Sequence, residues 1–271
     1  MQCRTLVLQV AMTLVVATGP AAAQQAAEQP ARPAIEQIVR EYILQHPEVL
    51  IESFRLYKER EQTAQKEHSK DAISANLGDL QRDPSSPEAG AVGGVTVVEF
   101  FDYRCRFCKG AEGTIEKLRA DHPDLHFVFK EFPILGPESS LAAKAGLAAH
   151  KQGGYLKFHQ ALMALTGPIT MDAIAELAGK LGLDVSKLKA DMESPEVQAI
   201  LARNSELAHK VGVKSTPSFV IGSELVSGAI DAATFERLIA QAKPSGAPHA
   251  GLNEENNRNR EEAIAIGEEH N

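Results

Sequence analysis

Cys105-Arg106-Phe107-Cys108 is the stretch of this sequence whose spacing carries chemistry. Two thiols at i and i+3, where the apolar run from Val95 to Phe101 gives way to a helical pattern, can close a small disulfide ring and reopen it by thiol exchange. Cys105 falls at or beside the helix N-terminus, where unpaired backbone N–H groups and the positive end of the dipole favour a thiolate. Arg106 adds positive charge beside it, and with Phe107 is a candidate contact for a bound substrate. Cys108 lies one turn on, on the same helix face and less exposed, placed to attack the sulfur of Cys105 in a mixed disulfide. Cys105 is thus read as the nucleophile and Cys108 as the resolving thiol.

Cysteine usage and the N-terminus set the compartment. Arg4, an apolar run from Thr5 to Thr18 and Ala21-Ala22-Ala23 before Gln24 form the pattern of a cleavable export signal over residues 1–23. The apolar run is too short for a good membrane span. Of three cysteines, Cys3 leaves with the signal, so the mature chain keeps Cys105 and Cys108 alone. So short a loop constrains an unfolded chain little, which makes the pair a working part and not a scaffold. The oxidising exported compartment supplies disulfides for it to act on. A net charge of −8 over 271 residues, with no long basic run, argues against a nucleic-acid partner.

The elements that must position the dithiol follow along the chain. Residues 24–33 read as a flexible leader, and residues 34–82 as amphipathic helix running into a polar stalk, with Ile35, Ile38, Val39, Tyr42 and Ile43 at helical spacing. That segment either packs on its own catalytic domain or meets copies of itself. Asp83-Pro84-Ser85-Ser86-Pro87 and the glycines to Gly94 read as a linker over residues 83–94. In the strand that follows, alternation puts Val95, Val97, Glu99 and Phe101 on one face. Glu99 is an acid inside an apolar strand; buried, it could relay the proton Cys108 must lose, and otherwise it is an ordinary carboxylate at the sheet periphery. Lys130, at the end of a second strand, reads as a partner for Glu99 or as an exposed lysine.

Cys105-x2-Cys108-x13-His122-x3-His126 also fits a zinc-finger expression. Pro123 breaks the helix and His126 falls in a strand, so no metal site is expected there. Five helical patterns fill residues 139–211, where His150, His159 and His209 read as surface or packing residues. Thr216-Pro217 precedes a hairpin, either as ordinary strand entry or as a cis bond presenting a backbone edge. A last helix spans Ala232 to Ala242, and residues 244–271 read as a disordered tail.

This order of elements, with EFFDYRCRFC, FKEFPILGP and GVKSTPSFVIG, resembles the DsbA family of thioredoxin-fold thiol-disulfide oxidoreductases over about Val95 to Ala242. The resemblance implies an α/β thioredoxin fold with a helical insertion at about 138–212, in a domain of residues 95–243. It implies Cys105 as nucleophile, Cys108 as buried resolving cysteine, Glu99 as buried acid, and Thr216-Pro217 as a cis-proline loop whose Thr216 backbone pairs with a substrate strand. No cofactor is implied.

The stretch EQIVREYILQHPEVLIES is similar to the leader of a subgroup that includes the suppressor-of-copper-sensitivity C proteins, some of them trimeric disulfide isomerases. That likeness implies a homo-oligomer through residues 34–82, a trimer in such members. The partners implied are exported proteins with cysteines and a membrane redox partner in the periplasm. Arg106-Phe107 departs from the small or His-containing dipeptides common in the family and bears on the redox potential. The reading favours an isomerase or reductase. Its alternatives are a dithiol oxidase, a Cu(I)-binding copper-tolerance protein and a client-binding chaperone.

Overall fold

The computed structural model describes residues 32–243, and these fall into two compact units divided between Tyr57 and Lys58. The expected export signal with Cys3, most of the leader and the tail from residue 244 lie outside the described residues. In the first unit, α1 (Arg32–Gln45) and the opening of α2 (Pro47–Ala75) flank His46, with Pro47 in the first helical position, where its missing N–H costs nothing. No residue of α1 is buried, and Ile38, Leu44 and Ile51 are more than half exposed.

The second unit is built on a five-stranded sheet of order β1-β3-β2-β4-β5. The strands are β1 (Glu88–Gly90), β2 (Thr96–Phe101), β3 (His126–Glu131), β4 (Ser218–Ile221) and β5 (Glu224–Ser227). β2 and β3 run parallel, joined through α4 (Arg106–Asp121), and the remaining pairs are antiparallel. Between β3 and β4 comes the expected helical insertion, here α5 (Pro137–His150), α6 (Tyr155–Ala164), α7 (Met171–Lys180), α8 (Val185–Met192) and α9 (Pro195–Val211); α10 (Ala232–Ala242) ends the unit. Ser and Asp caps start the later helices: Ser194 Oγ accepts from Val197 N and Asp184 Oδ1 from Lys187 N.

Strand alternation divides the core. Val97, Phe101, Phe127, Phe129 and Phe219 face α4, the helical insertion and α10. Val98, Phe100, Val128 and Val220 pack on Ile73 of α2, Leu80 of α3 (Leu77–Gln81) and Leu207 and Val211 of α9. Every residue of β2 and β3 is buried, because both faces of the sheet are covered.

Two expectations need correction. The stretch 83–94 is no free linker: residues 88–90 form β1 and pair with β3, and a Cβ at Gly90 would lie 2.0 Å from the Leu125 carbonyl oxygen. Glycine there permits close strand approach at a φ of +86°. Lys130 is neither a partner of Glu99 nor exposed. Alternation sends it to the opposite sheet face, where it is fully buried and donates to Asp79 O (2.7 Å), Ser86 Oγ (2.7 Å) and Asp83 Oδ2 (3.2 Å). The residues after Asp79 are thus tied to the sheet by a lysine whose three donors are all used.

Among the described residues no helix is long and apolar enough to cross a membrane.

Burial alone would raise the Asp83 carboxyl, but hydrogen bonds from Ser85 and the charge of Lys130 outweigh it and bring it from 3.8 down to about 2. A depressed acid stabilises the fold above its unfolded value, and that contribution disappears as pH falls from about 4 to about 2. The melting temperature of the native chain should therefore drop across that window more steeply than that of Asp83→Asn. Lys130→Met, which leaves Asp83 without its cation, should cost about 2–4 kcal/mol at neutral pH in denaturant titrations.

Candidate active site

β2 delivers the dithiol. The strand ends at Phe101, Asp102 O accepts from Cys105 N at 3.0 Å, and α4 begins at Arg106 with Cys105 as its N-cap in extended backbone. The Cys105 side chain makes no capping bond. Its Sγ instead donates to the carbonyl oxygen of Thr216 at 3.2 Å, and the Thr216-Pro217 peptide bond is cis. The structure thus brings together Cys105, Cys108 and the Thr216-Pro217 loop, the arrangement the family resemblance implies. Both cysteines are free thiols; Cys105 is 6 % exposed, while Cys108, Ala111 and Ile115 line the buried side of α4.

The two sulfurs have different surroundings. Burial pushes the Cys108 thiol far above its ordinary value, and the neighbouring charges of Glu99 and Cys105 add to this against an opposing backbone hydrogen bond from Asp102. Cys108 therefore stays a thiol until something removes its proton. Glu99 is the candidate that the sequence supplies: it is buried, and neither carboxyl oxygen has a hydrogen-bond partner among the described residues. Burial raises its carboxyl well above the usual range, with the charges of Glu112 and Cys105 acting the same way. Lys130 lies across the sheet from it.

Sequence reasoning missed several residues here. Asp102, buried, accepts from Arg104 N at 2.8 Å through Oδ1 and from Ile134 N (2.8 Å) and Leu135 N (3.0 Å) through Oδ2. This ties the loop before the dithiol to the loop after β3. Arg104 repeats the tie by donating to Leu135 O at 3.2 Å and pairing with Glu138 at 3.0 Å. Behind the dithiol, Tyr103, Glu112, Glu131, Tyr155 and His159 form a buried polar cluster. Periodicity cannot flag such a cluster, because its members come from different elements. The rim is apolar and cationic: Phe107, Ile134 and Leu135 are 53 %, 43 % and 44 % exposed, and the Arg106 guanidinium lies 4.6 Å from the centre of the Phe107 ring. A cleft of about 570 Å³ adjoins it between Arg104, Lys109 and residues 165–169.

The zinc-finger histidines are engaged elsewhere. His122 contacts Glu236 at 2.7 Å, and His126 lies between Thr96 (3.3 Å) and Glu88 (2.9 Å). Among the described residues no group of three or more His, Cys, Asp or Glu is placed to hold a metal ion.

Comparison with known proteins agrees with this geometry. The DSBA-like thioredoxin domain family matches residues 96–240, and the copper resistance protein ScsC N-terminal domain matches residues 32–64. A thioredoxin-like oxidoreductase from Silicibacter pomeroyi DSS-3 is 40 % identical, with 63 % of this chain and 99 % of that one covered and a TM-score of 0.61. ScsC of Proteus mirabilis, solved with a linker deletion, is 26 % identical, with 80 % and 98 % covered and a TM-score of 0.62.

Among curated relatives, a probable disulfide bond formation protein D of Bacillus anthracis is 28 % identical, with 51 % of this chain and 69 % of that one covered. A Na(+)/H(+) antiporter NhaA of Herminiimonas arsenicoxydans is also 28 % identical, with 63 % of this chain covered. The chain spans only 28 % of that antiporter's length.

An acid whose folded value is raised costs stability as pH rises above its unfolded value, because the unfolded chain releases the proton first. Glu99→Gln should therefore denature later than the native chain at pH 7 to 8, with the difference closing towards pH 4; equal midpoints at every pH would contradict a neutral, buried Glu99.

Proposed function

We propose that this chain, which belongs to the DSBA-like thioredoxin family of thiol-disulfide oxidoreductases, works as a disulfide isomerase or reductase on exported proteins. One observation carries the reading: Cys105 Sγ lies 3.2 Å from the Thr216 carbonyl in front of a cis-proline, with Cys108 wholly buried one turn behind. A nucleophile set beside a free backbone edge can meet a client disulfide held as an added strand.

In this mechanism the Cys105 thiolate attacks one sulfur of a client disulfide, forming a mixed disulfide and expelling the other client sulfur as thiolate. That thiolate can then attack a different client disulfide, and the client thiolate released there attacks the mixed disulfide and expels Cys105 as thiolate, which completes isomerisation. Alternatively Cys108 gives up its proton through Glu99 and attacks Cys105, which releases the client reduced. The Thr216 backbone pairs with the client strand beside Pro217, and Phe107, backed by Arg106, offers it an apolar contact. A membrane redox partner in the periplasm returns the Cys105–Cys108 disulfide to the dithiol.

The N-terminal stretch supports isomerase over oxidase. The apolar side of α1 and the start of α2 is exposed in residues 32–57, which is more than a lone soluble helix pair leaves open. Self-association into a homo-oligomer, a trimer as in some members of the subgroup it resembles, would cover it and surround a misfolded client with several dithiols. The compact-unit boundary at Lys58 narrows the self-association stretch from the 34–82 expected of the sequence, because Ile73 and Leu80 belong to the core beneath the sheet.

Reactivation of scrambled, fully oxidised ribonuclease tests the proposal, with the mature chain run beside Cys105→Ser and beside a chain starting at Lys58. The mature chain should reactivate it, Cys105→Ser should fall to the uncatalysed level, and the shortened chain should lose about tenfold as the local concentration of dithiols drops. Equal activity of the mature and shortened chains would remove the oligomer from the mechanism, and oxidation of reduced ribonuclease without reshuffling would leave a dithiol oxidase.

A further inference from the structure

The loop that presents Thr216 to Cys105 runs from Gly212, at the end of α9, to Ser218, the first residue of β4. It has no strand or helix of its own to set its course, so its position depends on what it is fastened to. At its far end the fastening comes from the β4–β5 hairpin: Ser218 Oγ donates to Ser215 O at 2.7 Å, and Gly228 N donates to Pro217 O at 2.7 Å. At its near end the fastening comes from the C-terminal part of α2, a helix that lies outside the strands carrying the dithiol.

Gln65, Ser69 and Ile73 share one face of that helix, each four residues from the next. Ile73 is buried in the same apolar core as Val211 and Val213, which flank Gly212. Ser69, also buried, stands directly over Gly212: a Cβ there would lie 2.8 Å from Ser69 Oγ and 3.1 Å from Gln65 Nε2. Gly212 takes a left-handed φ of +88° to close α9, so glycine is demanded twice, by the backbone turn and by the helix above it. Gln65 Nε2 donates to Ser69 Oγ at 3.4 Å, and Gln65 Oε1 accepts from Lys214 Nζ at 3.3 Å. Lys214 stands two residues before Thr216. Lys70 Nζ pairs with Glu224 Oε1 at 2.7 Å and ties the same helix to the hairpin that holds the far end of the loop. The Lys214 and Lys70 contacts are exposed and contribute little alone, so the buried contacts of Ser69 and Ile73 set the position.

We propose that α2 positions the client-pairing loop, with Ser69 against Gly212 as the contact that fixes where the Thr216 backbone stands relative to Cys105. This rests on the oxidoreductase reading and deepens it. Thr216 is four residues along from Gly212, and with both ends of the loop fastened a displacement at Gly212 is passed on to Thr216. A client strand that pairs with the Thr216 backbone must bring its sulfur into line with Cys105 Sγ, so an error of about 1 Å in that edge weakens client binding and alignment. A disulfide without a peptide backbone makes no use of the edge and is indifferent to its position. Ser69, Gln65 and Ile73 act through the loop and are positioning residues.

The test uses the reduced full-length chain and two disulfides: a short unstructured peptide closed by one disulfide, and hydroxyethyl disulfide, which has no backbone to pair. Single-turnover opening rates are measured against the concentration of each. Ser69→Leu drives a larger side chain against Gly212. It should raise the half-saturating peptide concentration about tenfold and leave the rate with hydroxyethyl disulfide within about twofold of native. Ser69→Ala keeps the close approach and should match the native chain within about twofold on both disulfides. Ile174→Val, a buried change in α7 of the helical insertion, is the stability control: it should lower the melting temperature and leave the peptide dependence native. Gly212→Ala makes the same collision from the side of the loop, and its peptide dependence decides the matter if Ser69→Leu does not fold.

An unchanged peptide dependence in Ser69→Leu, or equal losses with the two disulfides, would overturn the proposal and leave the oxidoreductase reading standing. A native chain that opens neither disulfide would overturn both.

Discussion

A strand hydrogen-bonded along both edges and covered on both faces cannot shift without unpairing its neighbours, and β2 is held in that way. It pairs with β3 on one side and β4 on the other, and all six of its residues are buried. β3 supplies the parallel partner, from whose end the Ile134–Leu135 loop rises. β4 begins directly after the cis-proline, so the register of β4 on β2, with Phe100 opposite Ser218, places the Thr216 carbonyl beside Cys105. The 3.2 Å contact between residues 111 positions apart is a product of that register. A slip of one residue would turn Glu99 to the other face and move Thr216 away from the sulfur.

Much of this was legible in the sequence. Apolar residues at period two and 3.6, turn residues between them and a thiol pair at a strand–helix junction are enough for the element order, the placement of Cys105 at the start of α4 with Cys108 buried one turn on, and the burial of Glu99 as one of its two readings. The failures share a physical cause. Lys130, at a strand end, reads as a partner for Glu99 or as an exposed lysine, but side-chain parity sends adjacent register positions to opposite faces, and Phe129 is the residue opposite Glu99. The stretch 83–94 was read as linker from its Pro, Ser and Gly, residue types that also serve close strand approach and Asx turns. Asp102 and the His159 cluster lay beyond reach because each links segments far apart in the chain, and only the packed fold makes them neighbours.

The chemistry of the site follows from how its charge is managed. Glu99 and Glu131 are buried carboxyls raised by desolvation, and the Glu99 oxygens have no hydrogen-bond partner among the described residues. An ion pair at this place would fix the charge, whereas a neutral acid in an apolar strand can give a proton up and take it back. Cys108 shares that environment, so the resolving sulfur is silent unless its proton has somewhere to go. On the proposed function, control of the Cys108 half of the exchange lies in the interior of the domain.

Asp102 has a consequence of another kind. Its carboxylate spans the gap between the turn that presents Cys105 and the loop that exposes Ile134 and Leu135, and Arg104 fastens the same two segments a second time. Reactive sulfur and apolar rim are therefore parts of one rigid template. On the proposed function, such a template would leave adaptation to the client: polypeptides with slack around a strained or misplaced disulfide would conform to it, and well-folded ones would not. Discrimination between finished and unfinished proteins would then arise from the stiffness of the enzyme, without any sequence being read.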